Sequence, residues 1–343
     1  MKEYIEKIMT GRDLTVDEMT MVMNELMSGE IDPIVAGSFL TALKMKKEAI
    51  PEIVGGARVM REKASTLKLD LDITLDTCGT GGDQSGTYNI STAVAIIAAA
   101  AGIAVVKHGN RSVSSKCGCA DVLEELGVAI DLKPEQVKTC IEKTNIGFLY
   151  APTFHAAMRH VGPVRKTLGY RTIFNILGPL ANPANASYQL VGVFDESLLD
   201  IFAEVLRELG LKRALVVHGT DGLDEITISG DTKICELNDG KINNYTIRPE
   251  DFGLQSAPLT EIIGGDRARN AQILIDLFKG KTGPMRDVLL LNAGAALYTC
   301  NKAESIGEGI KTAEALIDSG AAMAKLNEFI QMSKALHSDS IAG

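Results

Sequence analysis

Tryptophan is absent from the 343 residues. No Cys-x-x-Cys pair occurs among the six cysteines, Cys78, Cys117, Cys119, Cys140, Cys235 and Cys300. A chain of this length needs no disulfide staples, so the thiols are expected to be reduced, in a cytoplasmic protein. Positive charge is also in deficit: 35 Lys and Arg against 44 Asp and Glu give a net charge of −9. That argues against a general nucleic-acid binder, because phosphate backbones reward a basic surface. Small anionic ligands remain open, since they need only a local cluster of cations, backbone donors or metal. Long apolar runs are missing too. The N-terminal MKEYIEKIMTGRD lacks the uninterrupted stretch of a signal peptide. The longest run, Ala93–Val106, is alanine-rich, broken by Gly102 and too short to span a bilayer. No membrane association is expected.

What remains is ordinary globular composition, 45% hydrophobic and 23% charged, in a chain long enough for a large domain plus a smaller one. The first seventy residues read as helices only. Tyr4, Ile5, Ile8 and Met9 recur at helical spacing, as do Met19, Val22, Met23 and Leu26. Pro33 opens a third segment, where a missing N–H costs nothing, and a fourth follows Pro51. Short helices joined by polar turns predict a small helical domain or a dimerisation element.

From Leu71 the rhythm changes. Ile73–Leu75 is a strand candidate, followed by a glycine-rich loop over Thr77–Asn89, a helix from about Ile90 to Ala101, and a second strand over Ile103–Val106. That is a β-α-β unit with parallel strands. The alternation continues with a helix at Cys119–Leu126, a strand at Val128–Ile130, a helix at Pro134–Lys143 and a strand at Ile146–Tyr150. It resumes with Gln189–Phe194, a helix over Ser197–Leu209 and a strand at Ala214–His218. The expected fold is α/β: a mostly parallel sheet flanked by helices, beside a small all-helical domain. Arg165–Asn185 breaks the alternation and reads as a crossing or hinge segment. Lys233–Leu237 and Lys241–Ile247 read as an antiparallel hairpin, and the chain from about Gly265 is helical. No long-period repeat or low-complexity tract is present.

Ligands of open α/β sheets sit at the carboxyl ends of the strands, so the loops there carry the chemistry. Three are unusual. DTCGTGGD, Asp76–Asp83, continues as QSGTYNIST through Thr92. Its glycines let backbone N–H groups approach an anion, and it delivers the chain to a helix start whose free N–H groups suit phosphate. Asn89 or Ser91 is the expected cap. It is neither a Walker loop nor a dinucleotide fingerprint. The competing reading is a plain glycine turn.

KHGNRSVSSK, Lys107–Lys116, supplies cations, an amide and serines for phosphate oxygens; its competitor is a solvated basic loop. GTDGLDEIT, Gly219–Thr227, offers the adjacent carboxylates Asp224 and Glu225. Magnesium prefers a few carboxylates, retained water and substrate phosphate, although from this loop alone a hydrophilic turn is the favoured reading. His155 and His160 lack metal-site spacing. Cys117 and Cys119 have basic neighbours, yet packing near a turn is the simpler reading. No Ser-His-Asp arrangement is arguable from sequence.

Taken in order, DTCGTGGD, GTYNIST, VKHGNRSVSSK, ADVLEELG, HAAMRHVGPVRKTLGYRTIFNILGPLANP, QLVGV and HGTDGLDEIT resemble the anthranilate phosphoribosyltransferase family over about residues 76–227. The resemblance implies a small helical domain, residues 1–70 with 165–186, and a large α/β domain, residues 71–164 with 187–343. It implies a homodimer, Mg2+ dependence, and transfer of phosphoribose from phosphoribosyl pyrophosphate to anthranilate on the way to tryptophan. The family pattern places donor contacts at Gly79, Gly82, Asp83, Thr87, Asn89, Ile90, Ser91 and Thr92. It adds Lys107, His108, Gly109, Asn110, Arg111, Ser112, Val113, Ser114, Ser115 and Cys119. Anthranilate would meet Gly79, Asn110 and Arg165, and Mg2+ would be held through Ser91, Asp224 and Glu225.

Two departures stand out. Cys117 and Cys119 replace the usual serines, and a thiol is a poor donor. Tyr88 replaces phenylalanine. Two rivals share parts of this pattern. A pyrimidine nucleoside phosphorylase would carry a different phosphate motif from KHGNR. A non-catalytic nucleic-acid-binding relative would have lost Asp224–Glu225 and gained basic surface.

Overall fold

A computed structural model describes residues 1–112 and 116–342, with side chains to residue 338. Val113, Ser114 and Ser115 of the expected donor loop therefore lie outside the described residues. Four helices come first: α1 (Lys2–Met9), α2 (Val16–Ser28), α3 (Pro33–Lys46) and α4 (Ile50–Lys63). Their starts follow from local chemistry. Thr15 and Glu18 form a reciprocal capping box on α2, and Asp32 accepts the Ile34 N–H beside Pro33, so orphan N–H groups find partners.

The α/β part begins with β1 (Thr74–Gly79), α5 (Ile90–Ala100), β2 (Ala104–Gly109), α6 (Cys119–Leu126), α7 (Pro134–Thr144) and β3 (Ile146–Tyr150). Short helices α8 (Ala151–Phe154), α9 (Gly162–Leu168) and α10 (Phe174–Leu180) lead to β4 (Tyr188–Gly192), α11 (Leu198–Glu208) and β5 (Arg213–Gly219). The hairpin β6 (Thr232–Asn238) and β7 (Lys241–Ile247) follows. Helices α12 (Arg267–Phe278), α13 (Pro284–Thr299), α14 (Ile306–Asp318) and α15 (Ala321–Ala342) close the chain.

The seven strands lie in the order β3-β2-β1-β4-β5-β6-β7. The first five are parallel, and the hairpin extends the sheet antiparallel. Strand order reverses between β1 and β4, which run in register from Leu75↔Tyr188 to Gly79↔Gly192. At such a reversal the connections leave in opposite directions and open a crevice. Apolar cover lies on both faces, as a parallel sheet requires. Leu215 and Val217 enter one buried cluster with α5 and α12–α15. Ala214 and Val216 point the other way, into a cluster with the N-terminal helices, α10 and α11. Helix α5 is buried almost all round, which its alanine-rich sequence permits. Among the described residues, no helix is long and apolar enough to cross a membrane.

Two expectations need correction. Val128–Ile130 is not a strand. Val128 and Ile130 are buried, but Ala129 N–H donates to Ser333 Oγ at 3.1 Å, so a helix side chain rather than a neighbouring strand holds this segment. The first strand also runs further than Ile73–Leu75. Pairing with β4 continues to Gly79, so half of the glycine motif is strand and the turn proper begins at Thr80.

Candidate active site

Three strands deliver their carboxyl ends to the crevice: β1 at Gly79, β2 at Gly109 and β5 at Gly219. Glycine at 79 is a spatial necessity, since a Cβ there would stand 2.5 Å from Asp224 Oδ2. The same oxygen accepts the Gly81 N–H at 2.7 Å. The loops after β1 and β5 thus touch through a carboxylate. Beyond them Gly81 and Gly82 take φ of +67° and +76°, the left-handed region that turns successive N–H groups to one side.

Asp224 is half-buried and Glu225 is buried. Burial, then the facing Asp83 carboxylate, raises the Asp224 carboxyl above the usual range. Burial and the Asp224 charge push Glu225 well up, while the Lys107 ammonium opposes the shift. The Ser91 N–H faces the Glu225 carboxylate and favours its charged form. Three carboxylates drawn together in this way lower their energy by gaining a cation. The donors are all hard oxygens, which suits Mg2+. Among the described residues no set of three His, Cys, Asp or Glu side chains could hold a metal ion, so substrate phosphate and water would have to complete the sphere.

The N-terminus of α5 opens onto this cluster. Asn89 occupies the cap position but makes no side-chain cap, contrary to the expectation for it. Its amide Nδ2 donates to Cys117 O at 3.3 Å, and its Oδ1 accepts from Asn270 at 2.9 Å. Ser91 does not cap the helix either. Its Oγ accepts from Lys107 Nζ at 3.3 Å, and its carbonyl accepts from Thr77 Oγ1 at 2.9 Å. Lys107 is buried and also donates to Thr77 O at 2.6 Å. Its charge therefore lies beneath the loops, where it offsets Glu225.

The second loop is braced on its outer side. Arg111 pairs with Asp121 at 3.0 Å and Glu124 at 2.8 Å, so its guanidinium faces α6 rather than the glycine loop. Asp121 also accepts the Ser112 and Gly118 N–H groups at 3.0 and 2.8 Å. Cys119 donates its thiol to Asn110 O at 3.3 Å, and burial raises its pKa, so it is a neutral brace. The Asn110 carbonyl is thus occupied, and its Oδ1 accepts the Arg111 N–H at 2.8 Å. Tyr88 is accommodated by a bond from its hydroxyl to Met285 O at 2.8 Å. Thr87 bridges to Ile263 in an isolated antiparallel pair.

Arg165 stands apart. On α9, half-buried, its guanidinium lies over the Phe174 ring at 5.4 Å, and burial lowers its pKa. Among the described residues it has no carboxylate partner and no hydrogen bond to the three loops. A half-buried cation without a counter-ion is costly to hold, so an anion there would be stabilising.

Sequence reasoning missed four groups. Arg171 donates to Gly82 O and stacks on Phe194 at 3.9 Å, joining the hinge segment to the glycine loop. Asp76, in β1, is fully buried and accepts from Asn182 at 2.8 Å and from the His108 N–H at 3.2 Å. His155 lies 5.0 Å from His108, ring to ring. Burial pushes the two imidazoles down to about 4 and about 3, so both are neutral near pH 7. The fourth is Asn270. Asp76, His155 and Arg171 lie inside the quoted motifs but with no spacing that points to these contacts, and Asn270 lies in none of them.

A doubly covered sheet with a crevice at its reversal and a helical bundle at its N-terminus defines a class, and family comparison agrees. The model for the glycosyl transferase family, a/b domain, matches residues 71–323, and that for its helical bundle domain matches residues 2–64. An anthranilate phosphoribosyltransferase from Alkaliphilus metalliredigens is 53% identical over 98% of this chain and 99% of its own. One from Acetivibrio thermocellus is 51% identical over 96% of each. The Thermus thermophilus anthranilate phosphoribosyltransferase crystal structure superposes with a TM-score of 0.91, at 44% identity, covering 96% of this chain and 99% of that one. The Saccharomyces cerevisiae enzyme in complex with PRPP and Mg gives 0.89 at 28% identity, covering 97% of each. The chain belongs to the anthranilate phosphoribosyltransferase family.

Proposed function

We infer that this protein transfers the phosphoribosyl group of 5-phosphoribosyl 1-pyrophosphate (PRPP) to the amine of anthranilate, giving N-(5-phosphoribosyl)anthranilate and pyrophosphate, in tryptophan biosynthesis. The observation that carries the donor half is the meeting of three things at the β1/β4 reversal. These are a left-handed glycine turn, a helix start without a side-chain cap, and the Asp224–Glu225 pair. The acceptor half rests on the relatives and on the uncompensated Arg165.

The bond between ribose C1 and the pyrophosphate oxygen breaks as the amine nitrogen bonds to C1. Positive charge builds on the sugar, as in glycoside cleavage. The Gly82–Asp83 turn and the α5 start would receive the departing pyrophosphate, with the Gly81 and Ser91 N–H groups, now held by Asp224 and Glu225, freed as those carboxylates turn to the metal. Lys107 acts from below, holding Ser91 and countering Glu225. Asp224 and Glu225, with Ser91, would hold Mg2+, which when bound neutralises charge on pyrophosphate oxygens. Arg165 offers its fork to the anthranilate carboxylate. An aromatic amine has a free lone pair at neutral pH, so no general base is required, and the surplus proton leaves to water or pyrophosphate. Of the other expected donor contacts, Thr87, Asn110 and Ser112 lie on the two loops, Thr92 in α5 and His108 and Gly109 at the end of β2, while Arg111 is turned to Asp121 and Glu124 and would serve through its backbone.

Mixing protein, Mg2+, PRPP and anthranilate should make anthranilate fluorescence fall. No fall, with thymidine cleaved in phosphate instead, would replace the reading with a nucleoside phosphorylase.

The domain division is part of the same reading: residues 1–70 with 165–186 form the small helical unit, and 71–164 with 187–343 the large one. Shared packing supports it, since Leu177 of α10 and Ile173, just before that helix, lie against Gly56 of α4. The helical unit also supports a homodimer. A groove of about 1040 Å³ lined by Ile8, Met9, Ile34, Met45, Val164 and Leu168 opens between α1, α3 and α9. Ile34 and Met45 are 78% and 82% exposed, an apolar face that is costly to leave in water. Ile34→Glu with Met45→Glu should halve the mass seen by light scattering. Wild-type protein already running as a monomer would defeat this assignment. The six thiols are unpaired by disulfides, which fits a reducing cytoplasm.

A further inference from the structure

Asn270 is 1% exposed, sits on the first turn of α12, and belongs to none of the three loops. Its side chain nevertheless reaches the donor site. Gly265 N–H donates to Asn270 Oδ1 at 2.7 Å. Asn270 Nδ2 donates to Asn89 Oδ1 at 2.9 Å, and Asn89 Nδ2 donates to Cys117 O at 3.3 Å. Both ends of this chain are backbone groups of fixed polarity, a donor at Gly265 and an acceptor at Cys117. The orientation of both amides is therefore forced, and neither can flip without opposing two acceptors or two donors.

The segment before Asn270 reinforces the link. Tyr88 N–H donates to Ile262 O at 3.3 Å, and Gly264 N–H to Gly86 O at 2.9 Å. A Cβ at Gly264 would meet Asn270 Oδ1 at 2.5 Å and the Tyr88 backbone at 2.8 Å. The 262–270 segment is thus laid directly along Gly86–Asn89, the stretch that leads into α5. Through Asn89 it also reaches Cys117, at the far end of the second loop.

We propose that Asn270 is a positioning residue for the donor: by polarising the Asn89 amide it locks the start of α5 to the end of the second loop in the arrangement PRPP requires. Asn89 then serves the donor through its backbone, because its side chain is spent on Asn270 and Cys117. The proposal rests on the donor reading of these loops and names how that site is held. It is specific to this chain in one respect. The Cys117 thiol also points at Asn89 Oδ1, 3.4 Å away, but a thiol is a weak donor. Asn270 therefore supplies the strong bond to that oxygen.

Asn270→Asp is the sharpest test. It is nearly isosteric and keeps the acceptor for Gly265, but it cannot donate to Asn89. If Asn89 flips to donate instead, its oxygen faces Cys117 O. Asn270→Ala removes the donor without that repulsion and serves if the aspartate variant does not fold. Calorimetric titration with Mg2+ and PRPP should show weakening of roughly tenfold, about the value of one lost hydrogen bond to a buried acceptor. The PRPP KM should rise in parallel, with the anthranilate KM and kcat within about twofold of wild type. Unchanged PRPP affinity in a folded variant overturns the proposal. So does a fall in melting temperature accompanied by equal loss toward both substrates, which marks a role in folding alone. If wild-type protein itself fails to bind PRPP, the donor reading falls first and takes this proposal with it.

Discussion

Asp224→Asn combined with Glu225→Gln is expected to lower turnover at least about a hundredfold, in line with the loss of charge stabilisation at a leaving group, while the protein stays folded. Both substitutions keep shape and remove charge. The wild-type pair is costly where it stands, because burial raises both carboxyls, with Asp83 adding to the shift of Asp224 and Asp224 to that of Glu225, so neutralising it should not destabilise the chain. The double variant should therefore melt at or above the wild-type temperature without Mg2+, and should lose the increment that Mg2+ gives wild type. Full turnover in the double variant would remove the metal assignment.

The same shifts set a pH dependence. A raised folded-state pKa means the folded chain holds these protons more tightly than the unfolded one. Their contribution to stability is thus greatest at low pH and is lost as pH rises through the raised values. Mg2+ must displace the protons and then offsets the repulsion that remains. It should raise the melting temperature more at about pH 8 than at about pH 6, and the Mg2+ needed for half-maximal rate should climb as pH falls. Equal Mg2+ effects at both pH values would contradict the shared site.

Arg165→Ala should raise the KM for anthranilate by on the order of 10- to 100-fold, the range for losing a charge-assisted hydrogen bond, with little change in the KM for PRPP. The separation of effects follows from position. Arg165 lies over Phe174 on the α9–α10 segment, whereas the donor loops are braced by Asp121, Lys107 and Asn270. Arg165→Lys should recover only part of the loss, since an ammonium cannot present two parallel donors or stack on the ring in the same way. An unchanged anthranilate KM in the alanine variant would end this role for Arg165.

The parts of this molecule legible in sequence were those with a local cause. Apolar runs marked the strands, and helical spacing marked the N-terminal helices. The three loops were visible because their residue types are unusual at strand ends. What depended on distant partners was not. Val128–Ile130 has the composition of a strand but no edge to join. Asp76 and Cys78 look like loop and lie in β1, because β4 pairs with them. Arg111 reads as a phosphate ligand until Asp121 and Glu124 of α6 claim it. Asn89 reads as a helix cap until Asn270, 181 residues away, takes its oxygen. Long-range hydrogen bonds redirect side chains whose types were read correctly.

The strand reversal that opens the crevice has a consequence for how the chain comes to be able to bind. Across that seam, Thr74 meets Ser187, 113 residues later, and β2 and β3 must be synthesised before the two can pair. Contacts of such separation are made late, after the entropy of closing a long stretch of chain has been met. The glycine motif proposed to hold phosphate is complete by residue 92, yet it has no opposite wall until β4 and β5 have docked. Capture of the donor is therefore a property of the finished tertiary structure, and its onset during refolding should mark the end of assembly rather than its beginning.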